Sequence, residues 1–349
     1  MNKKEGLMLE NLIKDKDICD YFKNRSYTLE GVSSDASKKL FYRILLEDQR
    51  ENCIFMKLEE KPSAEDVRKE DWYNLSKILT QSNIRCPDVL ACSEDKSQLV
   101  IEDCGQLCVQ DLINKLIAED NQKGLDDLYA KCFSFIFKFL SFSSNSKNQA
   151  TWEKRSFDNI LLKKELLFFR EHFILKNQID SLKFWDERSF LEDVDRLCAS
   201  VASISSYFTH RDFHSRNLLV SKDDLVVIDF QDARLGPSSY DIVSLIFDPY
   251  VELDLSRRKE IFDMFFSLAK NFLPAKVTDE ILNSWKMVCL QRLLKALGSY
   301  AFMEKEGKKS FTNYILPTLK TLNDLNLNDS RWEFLSHTLS YELLYAFSE

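Results

Sequence analysis

Thr209-His-Arg-Asp-Phe-His-Ser-Arg-Asn217, followed after eight residues by Val226-Val-Ile-Asp-Phe230, is the stretch on which the reading of this chain turns. A short strand leads in, a polar loop follows, and an apolar strand ends in Asp229. Taken singly, these residues mean little. Asp and Asn are ordinary turn formers, and a lone His such as His210 most often orders its own loop. Taken jointly they are specific: Asn217 stands five residues past Asp212, and Asp229 stands twelve past Asn217 at a strand end.

H-R-D-x-x-x-x-N without a mismatch, then a strand-terminal Asp, resembles the protein-kinase catalytic loop. That resemblance implies phosphoryl transfer, which needs positioning and charge neutralisation more than covalent help. Magnesium takes hard oxygen ligands, usually one or two carboxylates plus phosphate oxygens. Asp229 is then the first metal ligand and Asn217 offers a carbonyl oxygen for a second ion. Asp212 is left to accept a hydrogen bond from the attacking hydroxyl, as base or orienter. His210 supports the loop, and His214 is a loop or substrate-edge residue.

Working outward, the chain has 349 residues, 44% of them hydrophobic and 30% charged, enough to bury a large core. A net charge of -8 argues against a nucleic-acid partner. No long apolar run offers a membrane span, and the N-terminus lacks a secretory apolar region. The nine cysteines show no CxxC pair, so they read as reduced, mostly buried thiols rather than disulfides or a zinc site. We expect a cytoplasmic monomer.

The periodicity is asymmetric. Residues 1–22 read as a helix, 27–31, 40–46 and 53–58 as strands, 63–82 as a charged helix, and 88–92 and 98–102 as strands. From 107 on, helices are expected near 107–118, 124–142, 156–175, 187–204, 239–248, 255–271, 277–303, 308–325 and 331–347. Short strands and the polar loop return only in 207–230. The fold class is α+β: a small antiparallel sheet, residues 1–104, that binds the nucleotide, and a mostly helical lobe, 105–349, that carries catalysis and the acceptor.

The chain has no G-x-G-x-x-G and no A-P-E, and Asp229 is followed by Phe-Gln. Instead Ile228-Asp-Phe-Gln-Asp-Ala-Arg-Leu-Gly-Pro-Ser-Ser-Tyr-Asp-Ile-Val-Ser-Leu245 resembles the aminoglycoside phosphotransferase family of small-molecule kinases. The resemblance implies a protein-kinase-like two-lobe fold, ATP and Mg²⁺ as cofactors, and Asp241 as a buttress of the catalytic loop. His-Arg-Asp-Phe-His-Ser-Arg-Asn-Leu-Leu, Tyr240-Asp-Ile-Val-Ser-Leu and Gln291-Arg-Leu-Leu-Lys-Ala-Leu-Gly298 are similar to the bacterial N-acetylmuramate/N-acetylglucosamine anomeric kinases of cell-wall recycling. Aminoglycoside- or choline-type acceptors of the same fold are the nearest alternative, and an inactive nucleotide-binding module is the remote one.

In the first lobe, Ser34, Asp35 and Ser37 lie between two strands where a phosphate-covering loop belongs; the bland reading is a hairpin turn. Lys57 ends a strand, as a phosphate-holding Lys would, with Glu70, or Glu65, as its helix partner. Glu102 and Cys104 belong to the stretch expected to offer backbone hydrogen bonds to adenine. Arg216, Gln231 and Asp232 flank the catalytic groups and are candidates for contacting the acceptor.

Overall fold

The computed structural model describes residues 15–23, 25–32, 40–47, 52–57, 69–143, 155–222 and 224–348. They form two compact units. One takes its described residues from Met1–Cys108 and Asn217–Asp232; the other takes them from Val109–Gln149, Glu153–Arg216 and Ala233–Glu349.

The first unit opens with helix α1 (Lys16–Phe22), started by the Asp15 carboxylate, which accepts from Asp17 N at 3.0 Å and Ile18 N at 3.3 Å. Five strands follow: β1 (Tyr27–Val32), β2 (Leu40–Leu46), β3 (Cys53–Lys57), β4 (Val89–Cys92) and β5 (Gln98–Glu102). They make one antiparallel sheet in the order β1-β2-β3-β5-β4. Ile18, Phe22, Ile44, Leu46, Cys53, Phe55 and Val100 close the core on this sheet. Helix α2 (Lys69–Gln81) buries Trp72, whose ring lies 5.0 Å from that of Phe230. Arg43 of β2, nearly buried, forks onto Asp103 just past β5 at 2.6 and 3.0 Å. A hairpin, Leu218–Ser221 against Asp224–Val227, completes the unit; Val220 N bonds Leu107 O, and Val227 N bonds Arg85 O.

The second unit is helical: α3 (Val109–Ala118), α4 (Gln122–Ser143), α5 (Asn159–Phe169), α6 (Glu187–Ala202), α7 (Tyr240–Ile246), α8 (Leu255–Ala269), α9 (Ala275–Lys305), α10 (Ile315–Asp324) and α11 (Ser340–Ser348). Every residue of α7 is buried, including its two polar side chains, Asp241 and Ser244, both of which are hydrogen-bonded. The helix expected over 156–175 is α5 plus a π-helical turn, Arg170–Leu175. The one expected over 308–325 is a 3₁₀ stretch, Lys309–Tyr314, followed by α10. One strand was not anticipated: Arg234–Pro237 pairs antiparallel with Ser206–Thr209. Its Gly-Pro end has loop composition, yet Gly236 is needed there, because a Cβ would fall 2.4 Å from the Phe157 ring. None of the nine cysteines is in a disulfide, and six of them are buried.

Glycine in mid-helix costs about 1 kcal/mol against alanine, so Gly298 in α9 needs a reason. A Cβ there would sit 2.7 Å from Phe169 Cα and 3.0 Å from its N, so the α9 backbone runs directly against α5. Helix propensity alone would make Gly298→Ala stabilising. We expect the reverse, a loss of about 1–3 kcal/mol from overpacking, read as a lower urea midpoint with an unchanged m-value. A midpoint equal to or above that of the wild type would contradict this packing.

Candidate active site

In the second unit, the strand Ser206–Thr209 delivers the chain to His210, fully buried and ringed by Phe139 and Phe213. Arg211 follows at φ +79°, a left-handed conformation that costs a non-glycine residue of order 1 kcal/mol or more. Asp241, in the first turn of α7, holds it there. Its Oδ2 accepts from His210 N at 2.7 Å and its Oδ1 from Arg211 N at 3.1 Å. Burial pushes the Asp241 carboxyl up, to about 7, against the pull of these two N–H donors.

The Arg211 guanidinium reaches Glu165 Oε1 of α5 at 2.9 Å, and Gln291 Nε2 of α9 fills Glu165 Oε2 at 2.8 Å. Asp212 receives Lys295 Nζ of α9 at 3.3 Å. Burial would raise the Asp212 carboxyl, but Lys295 first, then Arg211, outweigh it and hold it well below the usual carboxylate range. His214 lies against the Tyr250 ring, and burial pushes its imidazole down to about 4 despite Asp248 and Asp212 nearby. Ser215 gives both its N–H (2.9 Å) and its hydroxyl (2.5 Å) to Asp248 Oδ2. Arg258 stiffens the segment behind Asp248 by donating to the carbonyls of Ile246, Asp248, Val251 and Leu253. Arg216 donates to Gln110 Oε1 at 2.8 Å and to the Tyr314 hydroxyl. Its guanidinium carbon lies 4.0 Å from the centre of the Tyr250 ring and 5.0 Å from that of Tyr314.

In the first unit, Asn217 enters the hairpin and Asp229 leaves it. Leu218 faces Val227 in the ladder and Ile228 N bonds Asn217 O at 3.0 Å, so both residues stand at the open end of the hairpin. Asp229 is also left-handed, at φ +62°, and its Oδ1 accepts from Gln231 Nε2 at 2.6 Å. Asp232 ends the short 3₁₀ turn after it. Lys57 closes β3 between Leu40 and Gln98. Glu70 lies in α2, but its side chain is outside the described residues. Ser34, Asp35, Ser37 and Glu65 also lie outside them. Glu102 is drawn to Arg85, which with Asp88 N holds its carboxyl down against burial, and its own N–H is used by Asp88 O. Cys104 is buried, and burial lifts its thiol to about 12, so it packs as an apolar residue.

Sequence reasoning did not single out Lys295, Glu165, Gln291, Asp248 or the tyrosines around Arg216 as site residues. One signal was available. Gln291, Arg292 and Lys295 interrupt a Leu-rich helix, and Gln291 and Lys295 are four residues apart, hence on one face.

The description "Phosphotransferase enzyme family" fits residues 28–272. The chain is 25% identical to an N-acetylmuramate/N-acetylglucosamine kinase of Neisseria meningitidis, over 83% of each chain. It is also 25% identical to a protein of the same name from Pseudomonas putida, over 85% of each. Among solved structures, an amicoumacin kinase in complex with AMP-PNP, Ca²⁺ and Ami superposes with a TM-score of 0.58 at 11% identity, covering 99% of this chain and 96% of its own. At that identity the likeness speaks for the fold, which is protein-kinase-like. With the family match spanning well over half of its length, the chain belongs to the phosphotransferase enzyme family and is an ATP-dependent kinase acting on a hydroxyl.

Proposed function

We propose that the chain phosphorylates an amino sugar, N-acetylmuramate or N-acetylglucosamine, on its anomeric hydroxyl, with ATP and Mg²⁺. The observation that carries the reading is the catalytic loop. Asp212 follows a strained residue whose backbone is tied down by Asp241, and Lys295 keeps its carboxylate ionised. Support for the acceptor comes from the two relatives bearing that name over more than four-fifths of the chain. The amicoumacin kinase, with AMP-PNP and Ca²⁺, supports the pairing of nucleotide and divalent ion.

The donors in the first unit suit such an ion. Asp229 and Asn217 offer hard oxygens from one hairpin end, fewer than magnesium requires, so phosphate oxygens and water would complete the shell. When bound, the ion neutralises charge on the phosphates. Gln231 orients the Asp229 carboxylate. Asp212 accepts a hydrogen bond from the sugar hydroxyl and takes its proton as the new O–P bond forms and the bond to the ADP leaving oxygen breaks. Ser34, Asp35, Ser37, Lys57, Glu70 and the backbone at Glu102 and Cys104 are assigned to the nucleotide, and Arg216, Gln231 and Asp232 to the acceptor side. The Tyr250 and Tyr314 rings, which could serve a quaternary ammonium, each have Arg216 on one face.

³¹P NMR of the product from ATP and a sugar mixture tests the acceptor. A sugar 1-phosphate is expected; phosphorylation of choline or an aminoglycoside with inert amino sugars would replace this reading. A second test concerns division of labour. Asp212→Asn should lower kcat by about 10²–10⁴-fold with nucleotide affinity almost unchanged, whereas Asp229→Ala should weaken metal-nucleotide binding itself. Indistinguishable behaviour of the two variants, by kinetics and calorimetry, contradicts the assignment.

A further inference from the structure

The catalytic loop carries two basic side chains of its own near Asp212, Arg211 and His214, but the strongest attraction on its carboxylate comes from Lys295. Arg211 is committed to Glu165, whose second oxygen is closed by Gln291. His214 is pushed down to about 4 by burial, so its imidazole is neutral in the physiological range. Lys295, which donates to Asp212, comes from 83 residues away, on α9. Lys295 is largely buried, its side chain 17% exposed, while that of Asp212 is 35% exposed. An ammonium has three donors, and among the described residues Asp212 is the one side chain that Lys295 bonds. Removing such a group from water is costly unless it is paired, and its partner is Asp212.

We propose that Lys295 is a positioning residue for phosphoryl transfer: it fixes the direction of the Asp212 carboxylate and sets a positive charge directly against it. This rests on the assignment of Asp212 as the group that receives the hydroxyl proton. Lys295 keeps its own proton throughout. α9 is built for the task, since it presents Gln291 to Glu165, Arg292 to Ser244 and Lys295 to Asp212, and Gly298 lets it approach α5. The charged and titratable groups around Asp212 are Arg211 and His214 from the loop, Arg292 and Lys295 from α9, and Tyr240 and Asp241 from α7, with Glu165 of α5 behind Lys295.

The test compares Lys295→Met and Lys295→Arg with wild type, using the acceptor that the wild type phosphorylates. Lys295→Met should lose about 10²-fold in kcat with KM for ATP within about twofold, and its kcat relative to wild type should fall further from pH 8 to pH 5. Lys295→Arg should recover most of the loss. A Lys295→Met enzyme with wild-type kcat and an unchanged pH profile would overturn the proposal, as would a loss that Arg fails to recover although the Arg variant melts like wild type. A readout independent of turnover is the carboxyl ¹³C resonance of Asp212, assigned by its disappearance in Asp212→Asn. In the wild type it should stay unmoved down to pH 4; an ordinary carboxylate titration there would overturn the proposal whether or not an amino sugar is the acceptor.

Discussion

Two backbone N–H groups, those of His210 and Arg211, converge on one buried carboxylate, Asp241. Much of the catalytic loop depends on that convergence. A buried carboxylate with two backbone donors is a strong anchor, and it holds Arg211 in a conformation that its Cβ disfavours. Freed to relax, Arg211 would rotate the peptide that leads into Asp212. The buttress sits on α7, buried along its whole length, so the anchor is as rigid as the core behind it.

Strain recurs where the chemistry is expected. Asp229 shares the left-handed region with Arg211, and Gln231, two residues on, holds its carboxylate. Polar contacts fix the backbone in the first place and a carboxylate in the second, each of which an unstrained loop would leave free to rotate. Positioning of this kind is what phosphoryl transfer asks of a protein, because the reacting oxygens must be aligned more than they must be activated.

Local spacing made some of this legible and long-range packing hid the rest. The sheet strands could be read from alternation, and the helices from their period. The hairpin that sets Asn217 beside Ile228 follows from two apolar runs around a short polar turn. The strand Arg234–Pro237 was invisible, because Gly236 and Pro237 carry loop propensity and the pairing with Ser206–Thr209 is decided by the Phe157 ring and the partner strand. Glu165 and Lys295 were equally hidden as site residues. Both are ordinary surface residue types on helices, and only the packing of α5 and α9 turns them inward, 46 and 83 residues from their partners Arg211 and Asp212.

The first unit draws its final hairpin, with Asn217 and Asp229, from deep in the sequence that otherwise builds the second. Val220 and Val227 bond to the backbone of Leu107 and Arg85, so residues before Cys108 have open backbone partners until the chain has been made through Asp232. During synthesis the early strands therefore wait for more than a hundred residues to emerge before their unit is complete. No single cut in the polypeptide separates the two units, and a contiguous fragment ending near Cys108 would carry neither of the oxygen ligands assigned to the metal.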